Sequence, residues 1–319
     1  MRIAILGTGR MARARAELLR GEEVVMAGHD RGRTAAVAAT VGARAATIDE
    51  ALAAAPDGVI VASSTERHAE QLLAAAALGV PVLCEKPIAL TVDATRAAVR
   101  ALEAAGATVQ VGFQRRFDPA FAAAREHVAS GRAGTLYALR LSARDASPPP
   151  EHFAPGSGGI FRDMHVHDFD LARWITGREV ATAYAVGAVR RFEYLDADAT
   201  AIVLTMDDGL PVTIDGARHD PLGYDVRMEV VGSDDVLAVG LDGRAPLHRV
   251  GEPAPAARWA SFTERFAPAF AAETAAFLAL VRHGGESPCQ PAGALEALRV
   301  AVACDRSRAE GRPVRVAEV

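Results

Sequence analysis

The sequence predicts a two-domain α/β protein, with an amino-terminal doubly wound parallel sheet and a carboxy-terminal α+β domain that contains a largely antiparallel open sheet. Three observations support this prediction. The chain has 319 residues, more than a usual single domain. Its first third alternates short apolar runs with alanine-rich stretches, and longer alternating runs follow residue 118. We therefore place the two domains at residues 1–118 and 119–319.

The first domain has five predicted strands, each a short apolar or β-branched run, at residues 3–6, 24–27, 59–62, 80–84 and 109–113. Helical stretches fill the gaps between them. One is residues 94–105, with Thr91 and Asp93 as candidate caps and Gly106 as the candidate residue after its end. This βαβ order predicts a parallel sheet with helices on both faces.

The second domain has longer predicted strands, at residues 135–142, 181–189, 199–206, 210–217 and 225–231. Turn signals at residues 207–209 and 232–235 indicate hairpins. A segment rich in proline and glycine, residues 147–159, precedes a predicted helix that carries Phe169, Trp174 and Ile175. Another helix is expected near residues 295–306, followed by a short apolar run at 313–316.

Composition excludes several partners. Half of the residues are hydrophobic and the net charge is -5, so no basic field is available for a nucleic acid. The apolar run that begins at Leu72 stops at Glu85, well below membrane-spanning length, and the amino terminus lacks a secretory apolar region. Cys84, Cys289 and Cys304 form no CxxC pair, which fits a reducing compartment. We expect a cytoplasmic protein with neither nucleic acid nor membrane as a partner.

A dinucleotide-binding fingerprint follows the first strand. The segment Gly7-Thr8-Gly9-Arg10-Met11-Ala12 satisfies G-x-G-x-x-A and opens a helix. The glycines allow a tight turn and close approach of a pyrophosphate, and the first helical amides, those of Arg10 and Met11, can receive its charge. Asp30 ends the second strand, where a carboxylate can accept both ribose hydroxyls. Together these features predict a Rossmann domain that binds a nicotinamide dinucleotide.

The residues beside Asp30 bear on the choice between NAD and NADP. A carboxylate repels the 2′-phosphate of NADP, so Asp30 favours NAD. Arg31 and Arg33 could instead attract that phosphate, or stack on the adenine. NAD is therefore the predicted cofactor, with NADP not excluded.

Small polar residues end the third predicted strand and begin the next helix. Ser63, Ser64 and Thr65 would let the chain pass close to the nicotinamide ribose, and His68 follows in the helix. The alternative is that the hydroxyl residues only cap this helix. The two interpretations are compatible.

A carboxylate and an amine follow the fourth predicted strand. Glu85-Lys86-Pro87 lies where a parallel strand delivers the chain to a ligand crevice. A lysine held in a partly dry cleft is readily tuned for proton transfer or alkoxide stabilisation. Lys86 is therefore a candidate for chemistry, and an exposed salt bridge is the alternative.

Five ionisable side chains cluster within residues 163–170: Asp163, His165, His167, Asp168 and Asp170. Asp163 and His167 are four residues apart, so on a helix they share one face and a single ligand. An alcohol loses a proton as its hydride leaves, and imidazole suits that task near neutral pH. Two alternatives stand beside this: a metal site built on His165 and His167 with Asp163 or Asp168, and a structural role in which Asp163 caps the helix and the histidines pack.

The ordered set of motifs resembles the Gfo/Idh/MocA oxidoreductase family, and most closely its inositol 2-dehydrogenase branch. The resemblance covers nearly the whole chain and rests on residues 7–9, 84–87, 111–118, 157–170 and 223–230. It implies that Lys86, Asp163 and His167 form the catalytic set. It also implies a cis peptide between Lys86 and Pro87. In the leading hypothesis Lys86 is paired with Glu85 and lies near the nicotinamide, and Glu85 belongs to the cofactor-binding set.

The resemblance further implies that Arg115, Asp145 and Tyr224 contact a polyol, and that the open sheet builds homodimers or homotetramers. Two positions depart from the inositol dehydrogenase pattern: Leu222 stands where a tyrosine is common, and Ala143 where some members have histidine. Each departure removes a hydroxyl partner, and such losses change substrate preference sharply. The expected substrate is therefore a cyclic polyol or sugar.

The leading hypothesis is an NAD-dependent dehydrogenase that oxidises a secondary hydroxyl group of such a ring. Two alternatives come from other classes. One is a redox-silent nucleotide-binding sensor of the same fold. The other is a hydrolase that uses Asp163, His165 and His167.

Overall fold

The computed structural model describes residues 1–240 and 259–319, which divide into two units. The first unit contains Met1–Gln114 and Phe270–Leu298, and the second contains Arg115–Ala269 and Arg299–Val319. The return of residues 270–298 to the first unit had no counterpart in the sequence analysis, which placed them in the second domain.

The first unit is built on a six-stranded parallel sheet with the order β3-β2-β1-β4-β5-β6. All five predicted strands are present, and one short strand was missed because Arg-Ala-Ala carries no β-branched or aromatic residue. The elements are β1 Arg2–Leu6, α1 Arg10–Leu18, β2 Glu23–Ala27, α2 Arg31–Thr40, β3 Arg44–Ala46, α3 Ile48–Ala53, β4 Gly58–Val61, α4 Thr65–Ala76, β5 Val82–Glu85, α5 Val92–Ala104 and β6 Val109–Gly112.

The predicted caps of α5 are partly confirmed. Thr91 is the cap residue, and its hydroxyl accepts a hydrogen bond from the backbone nitrogen of Ala94. Asp93 lies inside the first turn, where a negative charge interacts favourably with the helix dipole. Gly106 adopts a φ of +61°, the left-handed conformation that glycine permits after a helix end.

The second unit contains a seven-stranded sheet with the order β12-β11-β7-β10-β9-β8-β13. Its neighbouring strands are antiparallel except for β10 and β7, which are parallel. From residue 119 onward the elements are α6 Pro119–Ala129, β7 Leu136–Arg144, α7 Val166–Thr176, β8 Val180–Ala188, β9 Ala199–Met206, β10 Pro211–Ala217, β11 Asp225–Gly232, β12 Val236–Val239, α8 Phe262–Arg265, α9 Ala267–His283, α10 Pro291–Glu310 and β13 Val314–Arg315.

Both predicted hairpins are present, joining β9 to β10 and β11 to β12. The bounds of β12 were not predicted, although the second hairpin implied this strand, and β13 lies within the predicted apolar run at 313–316. Along β9 the side chains alternate: Ile202 and Leu204 are buried, and Val203 between them is exposed. One face of the sheet therefore belongs to the core, where α7 packs on β7.

The core of the first unit lies against its parallel sheet. Ile3, Ile5 and Ile60 are fully buried together with Phe277 of α9. Gly58 in β4 permits this packing, because a Cβ atom there would lie 2.7 Å from Val281 Cγ2. The helix α9 is thus fitted closely to the sheet. Among the described residues, no helix combines the length and the apolar character needed to cross a membrane.

Candidate active site

Two glycines shape the turn after β1. Gly7 has a φ of +137°, and a Cβ atom there would lie 2.3 Å from the backbone oxygen of Ala62. Among residues 1–240 and 259–319, no atom lies within 4 Å of a Cβ atom placed at Gly9. The helix α1 begins directly after Gly9, and its cap residue makes no side-chain hydrogen bond, so the positive end of the helix dipole faces this turn. The turn therefore fits the pyrophosphate of a dinucleotide.

Asp30 lies at the carboxyl end of β2 and is exposed. Its Oδ1 accepts a hydrogen bond from the backbone nitrogen of Arg33 at 2.9 Å, which makes it the cap of α2. This cap uses one carboxylate oxygen, so the other can accept a ribose hydroxyl. Arg31 is largely exposed and lies 3.6 Å from Glu50. Its charge is therefore partly matched by a carboxylate of the protein.

The polar turn after β4 does more than cap a helix. Ser63 donates a hydrogen bond from Oγ to Oε1 of Gln71 at 2.8 Å. Ser64 occupies the cap position of α4, but its side chain makes no capping hydrogen bond. Thr65 is the first residue of α4. The interpretation of these residues as caps alone therefore does not describe Ser64.

His68 connects the turns that follow β4 and β5. Its Nδ1 lies 2.8 Å from the backbone oxygen of Pro87, and its Nε2 lies 3.2 Å from that of Ser63. Burial lowers the pKa of His68, and a neutral imidazole can donate to only one of these oxygens at a time. The ring is buried, so it supports both of these turns from within the first unit.

Glu85 forms a buried ion pair with Arg15 of α1, at 2.8 Å. Arg15 also contacts Glu273 of α9 at 2.5 Å. Burial raises the pKa of Glu273 to about 7, although Arg15 opposes the shift. Lys86 itself is partly exposed, and the Lys86–Pro87 peptide bond is cis, as predicted.

In the second unit, the segment before α7 separates its ionisable side chains by exposure. Residues Phe161–His165 form a π-helical turn that continues as α7. His165 and Asp168 are fully buried, while Asp163 and His167 are partly exposed. Asp163 lies within the π-helical turn and is not a helix cap. Asp163 and His167 are therefore the accessible acid and imidazole of this segment. π-Helical turns such as residues Phe161–His165 are frequent at functional sites.

His165 is held in the interior of the second unit. Its Nδ1 lies 2.8 Å from Oδ2 of Asp168, and its Nε2 lies 2.7 Å from Oγ1 of Thr200. A Cβ atom at Gly216 would lie 2.3 Å from Cε1 of this ring, so the glycine leaves room for it. Both ring nitrogens are therefore engaged by the protein.

Arg115 and Asp168 form a buried ion pair beside Tyr224. Burial alone would raise the pKa of Asp168, but Arg115 and His165 hold it below its usual range. Burial also raises the pKa of Tyr224 to about 12, so its hydroxyl stays neutral. The resemblance placed Arg115 and Tyr224 on a polyol, and the structure shows both of them almost fully buried.

Arg218 joins two of the predicted site residues. Its Nη1 lies 2.9 Å from Oδ2 of Asp163 and 3.2 Å from Oδ2 of Asp145. The guanidinium is nearly buried, whereas both carboxylates are partly exposed. Burial raises the pKa of Asp145, Arg218 opposes that shift, and Asp163 adds to it. The two acids therefore lie side by side on one cation.

Four residues of these networks, Arg15, Thr200, Arg218 and Glu273, were not identified from the sequence. Arg218 directly follows a predicted strand. The same signal identified Lys86, so Arg218 could have been identified from the sequence. Thr200 and Glu273 carried no such signal, because they meet His165 and Arg15 only through the tertiary fold.

The metal alternative has no support in the described part of the chain. There, no group of three or more His, Cys, Asp or Glu side chains is arranged to hold a metal ion. His165, which that alternative required, is engaged by Asp168 and Thr200.

Comparison with known proteins defines the class. Residues 1–113 match the family model described as an oxidoreductase family with an NAD-binding Rossmann fold, and residues 121–238 match the GFO/IDH/MocA C-terminal domain. The chain belongs to the Gfo/Idh/MocA oxidoreductase family.

The individual relatives within this family include inositol dehydrogenases. The chain is 34% identical to inositol 2-dehydrogenase of Rhizobium meliloti over 99% of both chains. It is 38% identical to myo-inositol dehydrogenase Hyg17 of Streptomyces leeuwenhoekii, over 84% of this chain and 83% of that one. Among solved structures, a putative myo-inositol dehydrogenase from Sinorhizobium meliloti has a TM-score of 0.91 at 33% identity, with 99% of each chain covered. The protein is an NAD-dependent dehydrogenase.

Proposed function

We propose that this protein oxidises a secondary hydroxyl group of a cyclic polyol or sugar to a ketone and transfers the hydride to NAD. One observation carries the proposal: within residues 163–168, Asp163 and His167 are accessible while His165 and Asp168 are buried and bonded to each other. The relatives named as inositol dehydrogenases support the substrate class.

His167 is the proposed general base, which takes the proton of the reacting hydroxyl as its carbon loses hydride. Asp163 positions the carbinol and the imidazole. Bound NAD supplies the hydride acceptor, so the protein contributes orientation and electrostatics.

Lys86 is the proposed electrostatic partner of the reacting oxygen. The ammonium group of Lys86 would stabilise the negative charge that develops on the reacting oxygen. This stabilisation is greatest in the transition state, where the oxygen carries more negative charge than in the substrate. Glu85 fixes the end of β5 through Arg15, and His68 holds the carbonyl of Pro87. The segment that carries Lys86 is thus anchored on both sides.

The cofactor is proposed to lie along the carboxyl ends of β1, β2, β4 and β5. The glycine turn would bind its pyrophosphate, and Asp30 its adenosine ribose, with Arg31 alongside. The polar turn after β4 would lie close to the nicotinamide ribose of the cofactor. This set comprises Gly7, Gly9, Arg10, Met11, Asp30, Arg31, Ser63, Ser64, Thr65, His68, Glu85 and Lys86.

The polyol is proposed to contact Lys86, Arg115, Asp145, Asp163, His167 and Tyr224. Tyr224 would act as a neutral hydroxyl donor, because burial raises its pKa to about 12. The exposed Leu222 and the buried Ala143 take the places of polar residues found in the inositol dehydrogenase pattern. We therefore propose a cyclic polyol or sugar rather than one particular inositol.

The proposed assembly is a homodimer or homotetramer formed through the outer face of the second sheet. Tyr184, Val186 and Val203 on neighbouring strands are exposed there, and apolar patches of this kind mark protein interfaces. The proposed compartment is the cytoplasm, since all three cysteines are free thiols.

His167→Ala tests the assignment of the base. We expect kcat to fall by about 10²–10⁴-fold with NAD affinity changed less than about twofold, because the base acts on the substrate and not on the cofactor. Absorbance of reduced nicotinamide, screened over cyclitols and sugars, measures turnover. Equal loss of turnover and NAD affinity would instead assign His167 a structural role.

His127→Ala is the matched control, since His127 lies on α6 and pairs with Asp235. It should leave turnover unchanged. The same screen separates the other classes: binding without reduction would indicate a sensor, and cleavage without reduction a hydrolase.

A further inference from the structure

Arg218 occupies a position that the proposed reaction does not yet use. It directly follows β10, and its side chain is only 4% exposed. A guanidinium at this depth is stable only when paired. Both of its partners, Asp145 and Asp163, belong to the proposed substrate-binding set.

The backbone fixes this arrangement. The nitrogen of Asp145 donates to the oxygen of Ala217 at 3.0 Å, and the nitrogen of Asp220 donates to the oxygen of Asp145 at 2.7 Å. The nitrogen of Arg218 donates to the oxygen of Asp198 at 2.9 Å. The segments that carry Asp145 and Arg218 are therefore joined on both sides of the ion pair.

The two carboxylates are adjacent in space. Oδ2 of Asp145 and Oδ2 of Asp163 both lie within hydrogen-bond distance of a single nitrogen, Nη1 of Arg218. A carboxylate is an acceptor only, so each of them can bind a hydroxyl that donates. Two such acceptors side by side match two hydroxyls on neighbouring carbons of one ring.

We propose that Arg218 is a positioning residue that holds Asp163 on the reacting carbinol and Asp145 on the hydroxyl of the adjacent ring carbon, so that the enzyme requires a vicinal diol. This inference rests on the proposed function. Arg218 acts through the two acids, so its removal affects kcat through Asp163 and KM through Asp145.

The first test replaces Arg218 and measures NAD affinity in the same variant, to show whether the cofactor site is intact. Arg218→Met should lower kcat/KM for an oxidised cyclitol by about 100-fold or more, with kcat reduced and KM raised, while NAD affinity changes less than about twofold. Arg218→Lys should recover about tenfold of that loss, because it restores the charge without the planar geometry. A kcat/KM of Arg218→Met within about threefold of wild type would overturn the proposal.

The pH profile distinguishes positioning from a purely structural role. Arg218, Asp163 and His165 all influence Asp145, and Arg218 lowers its pKa. Loss of the guanidinium therefore raises that pKa, and the acid limb of kcat/KM should move to higher pH. An unmoved limb in Arg218→Met would contradict the proposed action through the acids.

Arg173→Met is the matched control. Arg173 makes a bidentate ion pair with Glu179 at 2.6 and 2.7 Å at the carboxyl end of α7. Its loss removes an arginine–carboxylate ion pair outside the proposed site. We expect kcat/KM and the pH profile of Arg173→Met to match those of wild type.

A second test does not require a folded Arg218 variant. Wild type should oxidise a cyclitol that lacks the hydroxyl next to the reacting carbon about 100-fold less efficiently than the intact one, and Asp145→Asn should lose most of this discrimination. Equal rates of wild type on both compounds would refute the diol requirement alone. Failure of wild type to oxidise any cyclitol or sugar would refute the proposed function and this inference with it.

Discussion

At the scale of single residues, the two glycines of the first turn serve different purposes. Gly7 is required by the fold, since its φ is positive and the backbone of Ala62 fills the space beside it. At Gly9 a Cβ atom would meet no atom of the described residues within 4 Å. The first glycine therefore secures the turn, and the second leaves room for a ligand.

This difference predicts opposite consequences for two alanine substitutions. Gly7→Ala should destabilise the protein by about 2–4 kcal/mol, because it combines overpacking with a strained φ. Gly9→Ala should leave the free energy of unfolding within about 0.5 kcal/mol of wild type, yet weaken NAD binding by about tenfold or more, since its Cβ occupies the path of the pyrophosphate. Chemical denaturation and NAD titration measure the two effects. Normal NAD affinity in Gly9→Ala would place the pyrophosphate elsewhere.

At the scale of elements, a buried ion cluster joins α1, β5 and α9. Arg15 contacts both Glu85 and Glu273, so two carboxylates share one guanidinium. Gln110 of β6 donates a hydrogen bond to the backbone oxygen of Glu273 at 2.9 Å. Because burial raises the pKa of Glu273 to about 7, this carboxyl takes up a proton on folding at mildly acidic pH.

The linkage has a definite sign. The unfolded chain ionises Glu273 near its ordinary pKa of 4.5, whereas the folded protein retains the proton up to about pH 7. Its contribution to stability is therefore present below pH 4.5 and is lost as the pH rises to about 7, by up to about 3 kcal/mol. Glu273→Gln should remove this decline, as measured by urea unfolding between pH 4.5 and 8. An unchanged pH slope in Glu273→Gln would show that another group causes it.

Glu22→Gln provides a control of opposite sign. The terminal amine and Arg282 hold the pKa of Glu22 below its usual range, so its contribution is lost as the pH falls. We expect Glu22→Gln to change the free energy of unfolding near neutral pH, where Glu22 is ionised. The decline between pH 4.5 and 7 that Glu273 causes should remain in this variant.

At the scale of the whole molecule, the second sheet leaves one face without a covering layer in the described chain. Val203 of β9 pairs with Tyr184 of β8, and both side chains are exposed. Toward β10 and β7 the same face becomes polar, with Arg140 and Asp215. An apolar area bordered by charges is typical of a protein interface.

Val203→Glu should therefore dissociate the proposed oligomer, because a carboxylate buried at its centre would lack a partner. Light scattering coupled to size exclusion measures the mass. Tyr137→Glu is the control: Tyr137 is 58% exposed but shares the side of β7 that carries Leu139, so it should leave the mass unchanged. A wild-type mass retained in Val203→Glu would exclude this face as the interface.

The sequence by itself determined the architecture and most of the candidate residues. Strand periodicity, the glycine turn and Asp30 depend on neighbours along the chain, and such local signals are readable in one dimension. The four-residue spacing of Asp163 and His167 predicted that they share one face, and both residues are partly exposed in the structure. The family resemblance supplied the roles.

Only the tertiary structure decided which charges meet. Glu85 pairs with Arg15, which lies 70 residues away along the chain, and Arg218 bridges two acids that lie 55 and 73 residues away. His165 is buried and contacts Thr200 through its Nε2, although it lies only two residues from the partly exposed His167. Burial sets the strength of each of these contacts, and burial depends on elements brought together by folding, which no local pattern encodes.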